Sequence, residues 1–291
     1  MPNVPLLDGV RAVCLVVNLP GPATAARLRD LGASVTKVEP PEGDQMAAAS
    51  PAWYAELASD MTVLRLDLQD PEHRGEFEDL LEEADLLITS SRPAGLARLG
   101  LGWEALHARF PRLCHVAIVG YPPPDENRPG HDLNYQAVSG MLRPPGMPLV
   151  LVADLAGAER AATEAVALLL ARERGRGAGH RMVSLAEAGA SFTASIRHGV
   201  TTPDGVLGGA LPAYGLYAAR EGYVAVGVIE LHFLARLAEE LGSAPKGRKG
   251  FEEVFKTRTA QEWEVWAKER GLPISACVSW PVKHPHNVSS S

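Results

Sequence analysis

Four ionisable residues sit where an apolar run or a proline-rich loop meets a helix, and these are the places to look for chemistry. His131 and Asp132 lie in the loop PGHDLNYQAVSG, Asp154 follows the apolar LVLVA, and Glu230 follows the apolar VAVGVI. An imidazole and a carboxyl group can each donate or accept a proton. Each residue also has a plain reading. Asp154 fits a helix N-cap, Glu230 a carboxylate favoured by the helix dipole, and His131 a loop hydrogen-bonder. His284 and His286 in KHPHN lack a cysteine or carboxylate at ligand spacing, so they read as solvated and no metal site is expected. The chain contains no GxxxxGK, HExxH or GxSxG, and LPGPATAA after the first apolar run lacks the second and third glycines of a dinucleotide loop. No nicotinamide cofactor is expected.

The elements that must carry these residues follow from periodicity. VRAVCLVVN, GPATAARLRDLGA and SVTKVE read as strand, helix and strand, and TVLRLDL, PEHRGEFEDLLEEA, DLLIT, WEALHARF and LCHVAIV continue the alternation. Such alternation predicts a doubly wound, Rossmann-like α/β domain with a parallel sheet. The segment 121–148 carries seven prolines and little periodicity, so it reads as a long functional loop. A long apolar helix from Asp154 then ends at GRGAG. The large domain is expected over 1–190, rejoined by 273–291, with 191–212 as a linker. A small α/β domain is expected over 213–272, built on a hairpin turning at Glu221 and Gly222 and followed by amphipathic helices. The closing NVSSS reads as a frayed end.

Bulk properties narrow the function. A chain of 291 residues with net charge -7 has no global positive field for nucleic acid or an anionic membrane. The three cysteines, Cys14, Cys114 and Cys277, each sit in apolar surroundings and read as reduced core residues. Neither a basic-then-apolar leader nor an 18-residue apolar run occurs, so the cytoplasm is the expected compartment.

The segments PGHDLNYQAVSG, LVADLAGAERAATEAVALLLARERGRGAG and YVAVGVIELHF resemble three separated motifs of the alpha-methylacyl-CoA racemases within the family III CoA-transferase superfamily. LRDLGASVTKVEPPEGD, LRLDLQDPE, SRPAGLARLGLGWEAL and the closing HPHN extend the resemblance along most of the chain. It implies an acyl-CoA thioester as substrate, no separate cofactor, and an interlocked homodimer whose site lies between one chain's large domain and its partner's small domain. It also implies that Asp154 is the shared catalytic carboxylate: a nucleophile in the transferase branch, or one of two opposed acid/base groups in the racemase branch. His131 would be the other base and Glu230 the partner that sets its protonation. The joint presence of the three favours inversion of the α-methyl centre of a 2-methylacyl-CoA over CoA transfer between carboxylic acids. A catalytically weak CoA-binding member is the third alternative.

Further expectations concern binding. Lys37, in the second strand, and Arg92, after a strand's C-terminal end, are the candidate CoA phosphate contacts, with Arg92 preferred. If Asp154 opens a helix, its backbone amide and those beside it would face the thioester oxygen. Against the resemblance, the chain is shortened near 44–61, between His131 and Asp154, and after Gly242, and the glycine-rich cover of transferases is reduced to Gly208 and Gly209.

Overall fold

The computed structural model describes residues 5–278. Residues up to Thr193 form one compact unit and those from Ala194 a second.

In the first unit six strands, β1 (Arg11–Leu15), β2 (Ser34–Glu39), β3 (Thr62–Arg65), β4 (Leu86–Thr89), β5 (Cys114–Val119) and β6 (His180–Ser184), form one sheet in the order β3-β2-β1-β4-β5-β6. All five pairings are parallel. Parallel strands covered on both faces must be apolar on both, and every residue of LLIT in β4 and CHVAIV in β5 is buried. The alternation within β1 sorts the two faces. Ala12 and Cys14 join the cluster that includes Leu28, Ala161 and Leu169, while Val13 joins Phe77, Leu81 and Leu106 on the opposite side.

The helix Val152–Ala171 reaches the sheet by presenting small residues. Ala153, Gly157, Ala158, Ala161, Ala162 and Ala165 are all buried, and Leu185 occupies the space a side chain at Gly157 would need. Thr24, on the neighbouring helix Pro20–Asp30, donates to the Ala158 carbonyl across 3.3 Å. Alanine therefore serves this face both by its propensity and by its size. The 121–148 loop is less irregular than its prolines suggest, because Asp132–Val138 is helical.

The second unit has a three-stranded antiparallel sheet of β7 (Tyr214–Ala218), β8 (Tyr223–Gly227) and β9 (Ile274–Ala276). Gly222 closes the β7–β8 turn at φ 80, a conformation that suits glycine. Helices Leu231–Glu240, Gly247–Phe255 and Ala260–Glu269 complete this unit around Tyr217, Phe251, Phe255 and Trp263. One correction arises here: of the segment 273–291, expected to rejoin the large domain, Ile274–Ala276 instead pairs with β8, while 279–291 lie outside the described residues. Residues 191–212 are not a bare linker either, since they include helical turns at Ala194–Arg197 and Val206–Ala210. His284, His286 and the closing HPHN and NVSSS lie outside the described residues.

Candidate active site

Strand order reverses between β1 and β4, and in such sheets the crevice beyond the strands' carboxyl ends at the reversal is where ligands sit. A cavity of about 210 Å³ opens there. Its walls come from Val17 and Asn18 after β1, Ser90 and Arg92 after β4, the end of β5, the 126–131 loop, Tyr135 and Asp154. His131 and Asp154, 23 positions apart in sequence, thus face one cavity.

Their neighbour Asp132 holds the two segments together. The carboxylate of this buried residue accepts the backbone N–H of Ala153 at 2.8 Å and of Asp154 at 3.1 Å. The helix Val152–Ala171 has no side-chain cap of its own at Leu151, so Asp132 supplies the missing acceptor from another helix. Gln136 completes the clasp, donating to Asp132 and, at 2.8 Å, to the Val150 carbonyl. His131 is exposed at the N-cap of the Asp132–Val138 helix, where its N–H donates to Asn134 Oδ1 at 3.0 Å.

This clasp sets the chemistry of Asp154. Burial first, and the adjacent Asp132 carboxylate second, push the Asp154 acid from 3.8 up to about 7. A carboxyl group titrating near neutrality can both take and return a proton. Tyr135, buried beside it, has its hydroxyl pushed upward by burial and then by Asp154. Its ring fits because Gly120 and Gly130 leave room: a Cβ at Gly130 would stand 2.7 Å from Tyr135 Cε1.

Three expectations need correction. Asp154 is the third residue of its helix, not the N-cap. The amides of Ala153 and Asp154 already donate to Asp132, so they are not free for a thioester oxygen. Lys37 is only 1% exposed, and its ammonium is held between Glu39 Oε1 at 2.5 Å and Asp44 Oδ2 at 2.7 Å, leaving no face for a phosphate. It lies in β2 with its side chain in the interior, where an unpaired cation would be costly. Arg92 is exposed, N-terminal to the helix Pro93–Arg98, and lines the same cavity as Asp154. Glu230 belongs to the second unit, at the N-cap of Leu231–Glu240, where its side chain makes no capping bond.

Asn18, Glu126, Arg128 and Tyr135 also line the cavity and were not singled out from sequence. Glu126 Oε2 is enclosed without a hydrogen-bond partner among the described residues, and Arg128 stacks 4.5 Å over the Tyr121 ring. The tyrosine of GHDLNY was the one available signal. The others lie in loops with no pattern to mark them. Among the described residues no group of three or more His, Cys, Asp or Glu is arranged to hold a metal, and no helix is long and apolar enough to cross a membrane.

A second cavity of about 720 Å³ lies beyond β1, β2 and β3, lined by Val38, Pro40, Leu66, Leu68, Leu96 and Arg98 among others. Val17 lines both cavities.

Comparison with known proteins agrees with this architecture. Mouse alpha-methylacyl-CoA racemase is 30% identical over 290 residues, covering 89% of this chain and 74% of that protein. The succinyl-CoA--D-citramalate CoA-transferase of Chloroflexus aurantiacus is 32% identical over 185 residues, covering 58% and 46%. The crystal structure of Rv3272 from Mycobacterium tuberculosis superposes with a TM-score of 0.81 at 24% identity, over 94% of this chain and 84% of the other, a likeness of fold. The family model for CoA-transferase family III matches residues 7–289. With a match of that extent, this chain belongs to CoA-transferase family III.

Proposed function

We propose that this protein is an acyl-CoA epimerase that inverts the α-methyl centre of a 2-methylacyl-CoA by two-base proton transfer. The observation that carries the reading is the cavity shared by His131 and Asp154, with the Asp154 acid raised to about 7. Inversion needs one group to remove the α proton and another to deliver a proton to the opposite face. A group that must act as acid in one direction and base in the other works best when it titrates near the working pH. A nucleophilic carboxylate gains nothing from being held protonated at neutrality.

CoA itself is the handle of the substrate and no separate cofactor enters the reaction. Its nucleotide end goes to the 720 Å³ cavity and its thioester to the smaller one, passing Val17, with Arg92 as the cation along that path. The working form is an interlocked homodimer in which Glu230 of one protomer pairs with His131 of the other.

The second reading is CoA transfer between carboxylic acids with Asp154 as nucleophile, favoured by the similarity to the Chloroflexus transferase. Incubation in deuterated water with a 2-methylacyl-CoA, with and without a free carboxylic acid, separates the two. Epimerisation places deuterium at the α carbon without the acid. No exchange, together with acid-dependent movement of CoA, replaces the reading with transfer.

A further inference from the structure

Whichever bond is broken next, reaction at a thioester sends an electron pair toward the carbonyl oxygen. Removing the α proton, for instance, leaves the C–H pair as the enolate double bond while the C=O pair moves to oxygen. That oxygen needs hydrogen-bond donors, and several backbone donors in and beside the cavity are already engaged. The amides of Ala153 and Asp154 donate to Asp132. Val17 N–H donates to Ser90 Oγ at 3.1 Å, and Ser90 donates back to the Val17 carbonyl. His131 N–H donates to Asn134.

Asn18 is built differently. It is a non-glycine residue at φ 65, in the left-handed region, a conformation that costs free energy and persists where neighbours enforce it. The enforcing contact is Asp44, whose Oδ1 accepts Asn18 N–H at 3.0 Å. Asp44 is itself buried, also accepts Met46 N–H at 3.0 Å, and is fixed from the other side by the Lys37 ammonium at 2.7 Å. Lys37 is in turn anchored by Glu39, which also accepts the Tyr54 hydroxyl at 2.6 Å. A fully buried ion pair thus ends on the backbone of one exposed, strained residue that lines the Asp154 cavity. With its own N–H committed, what Asn18 offers as a donor is its carboxamide, which has no hydrogen bond among the described residues.

We propose that Asn18 is a substrate-contacting residue whose carboxamide N–H donates to the thioester carbonyl oxygen, and that Lys37 and Asp44 are the positioning pair that holds it there. The proposal rests on the acyl-CoA reading but not on which reaction follows.

The test is calorimetric binding to the full protein of two ligands: pivaloyl-CoA, which has no α hydrogen, and its S-neopentyl thioether counterpart, in which CH₂ replaces the carbonyl. The wild-type protein should prefer the carbonyl ligand by about threefold to tenfold, the size of one net hydrogen bond. Asn18→Asp keeps the shape and loses the donor, and Asn18→Gly suits the positive φ and lacks the side chain. Both should bring the preference to one or below while thioether affinity is kept. Asp44→Ala should lower it toward one through Asn18, and an unchanged preference there removes the positioning role. Equal binding of the two ligands by the wild type, or a preference that survives both Asn18 variants, overturns the contact. Binding of neither ligand overturns both the contact and the acyl-CoA reading. A preference lost in the variants, in a protein that exchanges no α hydrogen, leaves the contact standing and removes the epimerase reading.

Discussion

A carboxyl group that titrates near neutrality costs the folded chain stability once it ionises. Asp154 moves from 3.8 to about 7 on folding, so its contribution is fully present below about pH 4 and is lost as pH rises through 7. Asp154→Asn should therefore melt higher than the wild type above pH 7 and show no such gain at pH 4. The difference is on the order of a few kcal/mol before allowance for the side chain's partial exposure. Thermal melts across that pH range check it, and equal melting curves at pH 8 contradict the perturbed acid. Asp154 and His131 were legible in the sequence because each lies in a segment whose residues resemble a family motif. The reason Asp154 is perturbed was not, because the clasp by Asp132 joins two helices across a loop and has no sequence period.

At the scale of elements, the end of β2 depends on charges that a linear reading cannot pair. In SVTKVE the alternation places Lys37 and Glu39 on the same side of the strand, but it does not say whether that side is wet. The side is dry: Lys37, Glu39 and Asp44 have side-chain exposures of 1%, 0% and 0%. Burial alone would push the Glu39 acid up, yet hydrogen bonds from Lys37 and Tyr54 hold it below its ordinary value. Removing the cation leaves two buried carboxylates facing each other, which costs about 3–5 kcal/mol for a pair of this kind. Lys37→Met should lose that much in urea unfolding, and a loss below about 1 kcal/mol contradicts the network. The strands and long helices were otherwise readable from apolar runs and caps. The helix Asp132–Val138 was hidden by surrounding prolines, and β9, three residues long, carries too little pattern to assign.

For the whole molecule, the proposed dimer would place Glu230 and His131 of one site on different chains, and this can be read genetically. Co-expressed His131→Ala and Glu230→Gln chains should regain about a quarter of wild-type activity, since half of random dimers are mixed and each mixed dimer holds one intact site. Activity no higher than that of the single variants contradicts the shared site. The assignment of His131 and Asp154 as opposed bases is tested most directly by the stereochemical course of exchange, followed with each pure 2-methylacyl-CoA enantiomer in deuterated water. Wild type should incorporate deuterium with inversion from either enantiomer. His131→Ala and Asp154→Asn should each retain only slow exchange, about two to four orders of magnitude down. That exchange should proceed with retention and for opposite enantiomers. If His131→Ala still racemises normally while Asp154→Asn is inert toward both enantiomers, the two-base account is contradicted and Asp154 alone carries the reaction.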